Sequence, residues 1–130
     1  MVVTFRTARF DLLTETPNPI NPLAGQSVLL WLREEIVKSG YFVTEPETED
    51  WGWYIDVRGA GTSYMVGASA DATDPTPPID WSIQVHKHRS LKEKMLGRNK
   101  LGADDPLCNL IDRLVRADAS LDDVEVAFEK

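Results

Sequence analysis

The feature that most constrains the fold is an alternation of apolar and polar residues that recurs three times between residues 51 and 86. The segments 51–58, 63–70 and 79–86 each place apolar side chains on one face and polar or small side chains on the other. The apolar faces consist of Trp51, Trp53, Ile55, Val57, Tyr64, Val66, Ala68, Ala70, Ile79, Trp81, Ile83 and Val85. Such a period of two is typical of antiparallel strands that pack one side on a core. The glycine-containing connection 59–62 predicts a hairpin between the first two strands.

A different periodicity predicts a helix over residues 22–39. Val28, Leu32 and Ile36 recur at helical spacing, which indicates one buried stripe. Asn21 can cap the free amides, and Pro22 has no amide to leave unpaired, so the helix is expected to start there. It is expected to end at Gly40, a residue that tolerates the left-handed conformation of a helix C-terminus.

Two further helices are expected in the last third of the chain. Ser90 and Glu93 match a capping box, which predicts a short helix to about Leu96. Asp105 followed by Pro106 repeats the combination of a capping side chain and a proline, and an apolar stripe then predicts a helix over residues 106–117.

Together these elements predict one α+β domain over residues 1–130, in the order β-α-β-β-β-β-α-α-β. Shorter strands are expected at residues 2–12 and 41–44 and around Val124 and Val126, with loops at 45–50 and 71–78. The expected architecture is a two-layer sandwich, with a mainly antiparallel sheet of five or six strands and two main helices on one face. A ferredoxin-like core with an added hairpin is the preferred strand arrangement.

Composition argues against several classes of function. The net charge of −7 disfavours a general binder of nucleic acid or of membrane surfaces. The longest apolar run, residues 28–32, is much shorter than the ~20 residues of a membrane span. One cysteine, Cys108, cannot form an intrachain disulfide, and the start of the chain lacks the pattern of a signal peptide. We therefore expect a cytoplasmic protein without a membrane partner.

The charge is distributed unevenly along the chain. Residues 87–100 contain six basic residues and one acid, which gives a net charge of +5. The basic residues are Lys87, Arg89, Lys92, Lys94, Arg98 and Lys100. Such a segment could bind an acidic protein partner or a second copy of the chain, or it could be a solvated surface. Nucleic acid is a less favoured partner, because the segment has no aromatic residue on which bases could stack.

The polar face of the alternating strands is the second candidate site. It is formed by Tyr54, Asp56, Arg58, Gln84, His86 and His88. These side chains could bind a small ligand, or they could form a cross-strand polar network. His86 and His88 could chelate a metal with Asp56 or Asp80, but a pair of histidines alone is a weak metal signal. We expect no metal and no cofactor.

No catalytic constellation stands out in the sequence. Cys108 lies on the flank of an apolar helical stripe and follows two acids, Asp104 and Asp105, which disfavours a nucleophilic role. The glycines around Gly59 and Gly61 lack the third glycine and the following helix of a dinucleotide-binding loop. The sequence therefore assigns no catalytic residue.

Residues 45–53, Glu-Pro-Glu-Thr-Glu-Asp-Trp-Gly-Trp, carry a family resemblance. With a preceding helix that ends in glycine and a later Gly97-Arg98 pair, they resemble a group of small uncharacterised bacterial proteins. The likeness covers residues 22–100, and its specific element is the Asp-Trp-Gly-Trp of residues 50–53. The resemblance implies a compact bacterial domain and implies no activity.

Two functions remain open at this point. The first is a non-enzymatic interaction or binding module, such as an immunity-like or adaptor protein, which the uneven charge favours. The alternative is a small-ligand-binding protein or an enzyme that uses the polar face of the sheet. Self-association through residues 87–100 is a third, weaker hypothesis.

Overall fold

The computed structural model describes residues 1–128, which form eight β-strands and three α-helices. The strands are β1 (Val2–Thr7), β2 (Leu23–Ala24), β3 (Phe42–Val43), β4 (Glu47–Glu49), β5 (Gly52–Gly59), β6 (Thr62–Asp71), β7 (Ile79–Lys87) and β8 (Asp122–Ala127). The helices are α1 (Gln26–Lys38), α2 (Leu91–Met95) and α3 (Pro106–Ala117), and a 3₁₀ turn spans Leu12–Thr14.

The sheet is open and entirely antiparallel. Its order is β3-β5-β6-β7-β1-β8, with β2 also paired to β6 and β4 also paired to β5. The α+β class, the antiparallel sheet and the order of the main elements are confirmed. The sheet has eight strands rather than five or six, because the short β2 and β4 join it. The ferredoxin-like arrangement is wrong, because β5, β6 and β7 are consecutive neighbours and β1 pairs between β7 and β8.

One face of the sheet carries the core. Along β1, β5 and β7 every second side chain is buried, as the alternation predicts. Trp81, Ile55 and Ile83 are among the largest fully buried side chains, and they form one cluster with apolar residues of α1 and α3. Full burial of a side chain of this kind contributes about 1.5–3 kcal/mol. The two long helices therefore cover the apolar face, whereas α2 contributes no buried residue.

The first helix begins at Gln26, so the expected start at Asn21 and Pro22 is wrong. Its capping group is Glu15, whose carboxylate accepts hydrogen bonds from the backbone amides of Gly25 (3.0 Å), Gln26 (3.1 Å) and Ser27 (2.9 Å). A Cβ at Gly25 would lie 2.3 Å from the Ala68 carbonyl oxygen, so only glycine fits there. The chain reaches the helix through β2, which pairs with β6 and excludes an earlier start.

The segment 45–50 contains a strand where the sequence predicts a loop. Glu47–Glu49 pairs with Gly52–Tyr54 of β5. Two asparagines from the preceding loop hold this connection: Asn18 donates to the carbonyls of Glu49 and Gly52, both at 3.0 Å, and Asn21 donates to the carbonyl of Asp50 at 2.6 Å. These contacts join residues about 30 positions apart, and local sequence patterns do not reveal them.

The other two helix predictions are confirmed. Asp105 caps α3 by accepting from the amides of Leu107 (2.9 Å) and Cys108 (3.1 Å), with Pro106 in the first turn. Ser90 and Glu93 form the predicted capping box of α2. No helix within residues 1–128 is long and apolar enough to cross a membrane.

Candidate functional site

The six polar residues singled out from the sequence lie on one face of the sheet, where β5, β6 and β7 are neighbours. They are Tyr54, Asp56, Arg58, Gln84, His86 and His88, and all are exposed or half-buried. The register explains this placement. Gly67 of β6 pairs with Tyr54 on one side and Gln84 on the other, and Met65 pairs likewise with Asp56 and His86. His88 follows β7, and its amide donates to the carbonyl of Ser63, the partner of Arg58 (2.9 Å). The uncovered face of the sheet thus presents three rows of polar side chains.

Trp51 occupies the middle of this polar face, so its expected place on the apolar face with Trp53 is wrong. A Cβ at Gly67 would lie 2.5 Å from both Cζ3 and Cη2 of Trp51, so the indole rests directly on the backbone of β6. The half-buried Trp51 therefore lies over Gly67, between Tyr54 and Gln84 of the same row. The sequence contains one hint of this packing, since a glycine inside a strand often marks the close approach of another group.

The hydroxyl of Tyr54 donates to Glu47 of β4 (2.8 Å). This hydrogen bond is the largest reason why the pKa of Tyr54 rises to about 12, followed by desolvation and the nearby acids. At neutral pH the phenol is therefore a protonated hydrogen-bond donor rather than a base.

The structure does not bring the histidines together with the acids that could complete a metal site. Asp56 and His86 lie two strands apart, about 10 Å at ordinary strand spacing. Asp80 lies six residues from His86 along β7 and accepts from Arg6 (2.9 Å). The His86 ring contacts Gln84 Oε1 of its own strand at 3.4 Å. Across the described part of the chain, no group of three or more His, Cys, Asp or Glu side chains could hold a metal ion.

Residues 87–100, which we call the basic segment, are held together by hydrogen bonds within the segment. Glu93 accepts from the amide of Ser90 (3.0 Å) and from the side chain of Asn99, and these bonds lower its pKa, the bond from Asn99 most strongly. Arg89 donates to the carbonyl of Arg98 (3.1 Å), which closes the loop after α2. The one acid of the segment is therefore used internally, to hold the loop against the helix.

Helix α2 and its C-cap residue expose three large apolar side chains. Leu91, Met95 and Leu96 are 74%, 79% and 54% exposed, although apolar side chains of this size are usually buried. Four cations lie in the same short stretch: Lys92, Lys94, Arg98 and Lys100. Among residues 1–128, no carboxylate lies within ion-pair distance of these four side chains. We call this combination the α2 surface, formed by Leu91, Lys92, Lys94, Met95, Leu96, Arg98 and Lys100.

Lys87 differs from the other cations of the segment. It pairs with the buried Tyr64 and belongs to the covered face, and its side chain is only 17% exposed. Its ammonium lies 3.9 Å from Asp105 Oδ2, which also accepts from the hydroxyl of Tyr64 (2.9 Å). Of the residues predicted to bind a partner, Lys87 is therefore the one that is largely used inside the molecule.

The environment of Cys108 is that of a structural thiol. The residue is buried beside Asp105, and desolvation, followed by this carboxylate, raises the pKa of the thiol to about 12. At neutral pH it is a protonated thiol rather than a nucleophilic thiolate.

Comparisons with protein-family models, with curated proteins and with solved structures gave no match. The resemblance to the small bacterial proteins with an Asp-Trp-Gly-Trp strand stays a prediction. Any functional conclusion therefore depends on the geometry of the two surfaces described above.

Proposed function

We propose that the protein is a non-enzymatic interaction module that binds an acidic protein partner through the α2 surface. The observation that carries this proposal is the exposure of three large apolar side chains, two on the five-residue helix α2 and one at its C-cap, within a cationic segment. Nine large hydrophobic residues are exposed in the described chain, and three of them lie within six consecutive positions. A local concentration of this kind is typical of an interaction surface.

The core of the protein does not require these side chains. Helix α2 buries no residue, and its capping box and the bond between Glu93 and Asn99 hold it in place. A partner that covers Leu91 and Met95 would gain about 1.5–3 kcal/mol for each fully buried side chain. Apolar contacts at the centre and charged groups at the rim are the usual arrangement of a protein interface.

The charges around the apolar side chains favour an acidic partner. Lys92, Lys94, Arg98 and Lys100 have no carboxylate within ion-pair distance in the described chain, so they are available to carboxylates of another molecule. Opposite charges at the rim of an interface increase the rate of association, and salt weakens the attraction between them. A cytoplasmic location is part of this proposal, and the free, buried thiol of Cys108 is compatible with a reducing compartment.

The experiment compares three forms of the full chain as baits in a lysate of the source cells. They are the wild type, Leu91→Ser/Met95→Ser, and the control Leu13→Ser/Ile20→Ser, which changes two exposed apolar residues far from α2. The proposal expects an acidic protein that the wild type and the control retain, that the α2 variant loses, and that salt releases. Its purified form should then bind the wild type directly. Equal capture by all three baits, or retention of RNA alone, would overturn the proposal.

A second copy of the chain is another acidic partner that the charge distribution allows. Acids line both edges of the sheet, with Glu47 and Glu49 on β4 at one edge and Asp122, Asp123 and Glu125 on β8 at the other. Light scattering at low and high salt tests this form of the proposal. Self-association through the α2 surface predicts a dimer that high salt dissociates, and a monomer under both conditions would exclude it.

Binding of a small ligand at the polar face of the sheet, as a binding protein or an enzyme, is the second candidate function. The observation that favours it is Trp51, whose indole lies on Gly67 in the middle of the face, next to the row of Asp56 and His86. An aromatic ring surrounded by hydrogen-bonding groups is a common element of ligand sites. The test is a screen of small molecules by NMR. Ligands that shift the indole signal of Trp51 would support this function, whereas ligands that shift only signals of the α2 surface would count against it.

A further inference from the structure

A cleft of about 520 Å³ lies between the end of β7, the start of β1 and the basic segment. Met1, Val2, Val85 and Leu101 form apolar parts of its wall. Its remaining lining residues are His86, Lys87, His88, Arg89, Lys94 and Lys100. None of the ten lining residues is acidic, although the chain as a whole carries a net charge of −7.

Two cations of the cleft are held in place by neighbouring groups. Lys87 lies 3.9 Å from the buried carboxylate of Asp105, which the hydroxyl of Tyr64 and the first amides of α3 hold in turn. Arg89 is fixed by its bond to the carbonyl of Arg98. Because these side chains are already ordered, ligand binding does not have to pay the entropy cost of ordering them.

The other two cations have no internal counter-charge. No carboxylate in the described chain lies within ion-pair distance of Lys94 or Lys100, and Glu93 of the same segment is engaged by Ser90 and Asn99. The imidazoles of His86 and His88 add hydrogen-bonding groups. Cations gathered in a cleft with apolar walls produce a stronger local potential than the same charges on a flat surface.

We propose that this cleft binds a small, multiply charged oxyanion, a phosphate or diphosphate group carried by a small molecule. Lys94, Lys100 and Arg89 supply the charge, and Lys87 forms the fixed base of the site. A cleft of this volume falls within the range of small-molecule sites, about 300–1,000 Å³, and is larger than a phosphate group alone requires. The cleft shares Lys94 and Lys100 with the α2 surface, but Leu91, Met95 and Leu96 do not line it, so the two proposals can be tested separately.

The test is a titration of the full chain with pyrophosphate at constant ionic strength, followed by calorimetry and by backbone amide NMR. The proposal expects saturable binding, with the shifted amides concentrated at residues 86–89, 94 and 100–101. Lys94→Ala/Lys100→Ala removes two lining cations and should weaken binding by about tenfold or more. Lys92→Ala/Arg98→Ala removes the same charge from the same segment outside the cleft, so it should change the affinity by less than about threefold.

Three results would overturn the proposal: no saturable binding by the wild type, amide shifts spread along the whole segment, or equal weakening in the two double variants. The first two need no variant, so a variant that fails to fold does not weaken the test. Leu91→Ser/Met95→Ser should bind pyrophosphate as the wild type does. Loss of protein capture with retained pyrophosphate binding, or the reverse, therefore separates this inference from the proposed function.

Discussion

Tyr64 donates its phenolic hydrogen to Asp105 over 2.9 Å, and this bond connects the middle of the sheet to the first turn of α3. The same carboxylate caps the helix and lies near Lys87. Asp105 and Tyr64 are both buried, so the Tyr64 hydroxyl depends on this carboxylate for its partner. The cluster links the core of the fold to the base of the cationic cleft.

We expect Asp105→Ala to lower the free energy of unfolding by about 2–4 kcal/mol. The change removes a helix cap and leaves the hydroxyl of Tyr64 and the ammonium of Lys87 without their partner. Urea unfolding measures the effect. Asp104→Ala is the matched control, since Asp104 is an exposed neighbour, and it should cost less than about 0.5 kcal/mol. Similar losses in both variants would contradict the role given to Asp105.

Removal of the capping group of α1 should also destabilise the protein. Glu15→Ala leaves the amides of Gly25, Gln26 and Ser27 without their acceptor, which we expect to cost about 1–2 kcal/mol. Thermal or urea unfolding is the measurement, with the exposed Glu125→Ala as the control. If Glu15→Ala cost no more than Glu125→Ala did, the assignment of the cap to Glu15 would be wrong.

The contact between Trp51 and Gly67 predicts an energetic coupling. Gly67→Ala should destabilise the wild type by about 1–3 kcal/mol, because the new methyl group occupies the position of the indole. In a Trp51→Ala background the same change should cost less than half as much. A double-mutant cycle from unfolding curves measures this difference. Equal costs in the two backgrounds would show that the indole does not rest on β6.

Cys108 predicts a change in stability at alkaline pH. Burial raises the pKa of its thiol from 9.0 to about 12, so the folded state keeps the proton after the unfolded state has lost it. Its contribution is therefore complete below pH 9 and is lost as the pH rises from 9 to about 12. Unfolding midpoints across this range should fall less steeply in Cys108→Ala. At pH 8 the native thiol should resist a thiol reagent, whereas denatured protein should react fully. Rapid labelling of native protein would contradict its burial.

The parts of the fold that the sequence predicts correctly depend on local signals. The alternation in β5, β6 and β7 and the Asp105-Pro106 start of α3 involve residues a few positions apart. The start of α1 and strand β4 depend instead on Glu15, Asn18 and Asn21, which act over 10 to 34 positions. Periodicity does not contain this information.

The candidate surfaces likewise have some features that local sequence signals predict and others that depend on long-range contacts. A period of two is enough to place Asp56 and His86 on one face. The same period also separates Lys87 from His86, although a count of charges along the segment treats all six cations alike. The pairing of Lys87 with Asp105 and the position of Trp51 on Gly67 arise from contacts across the sheet, so they appear only in three dimensions.

The most direct test of the proposed interaction is photo-crosslinking from the α2 surface in the source cells. A photoreactive residue at Met95 is compared with one at Leu13, since both side chains are 79% exposed and only the first belongs to α2. We expect a discrete protein adduct from position 95, absent from position 13 and lost when Lys92 and Arg98 are changed to Glu. No adduct from position 95, or the same adducts from both positions, would show that the α2 surface does not bind a protein partner.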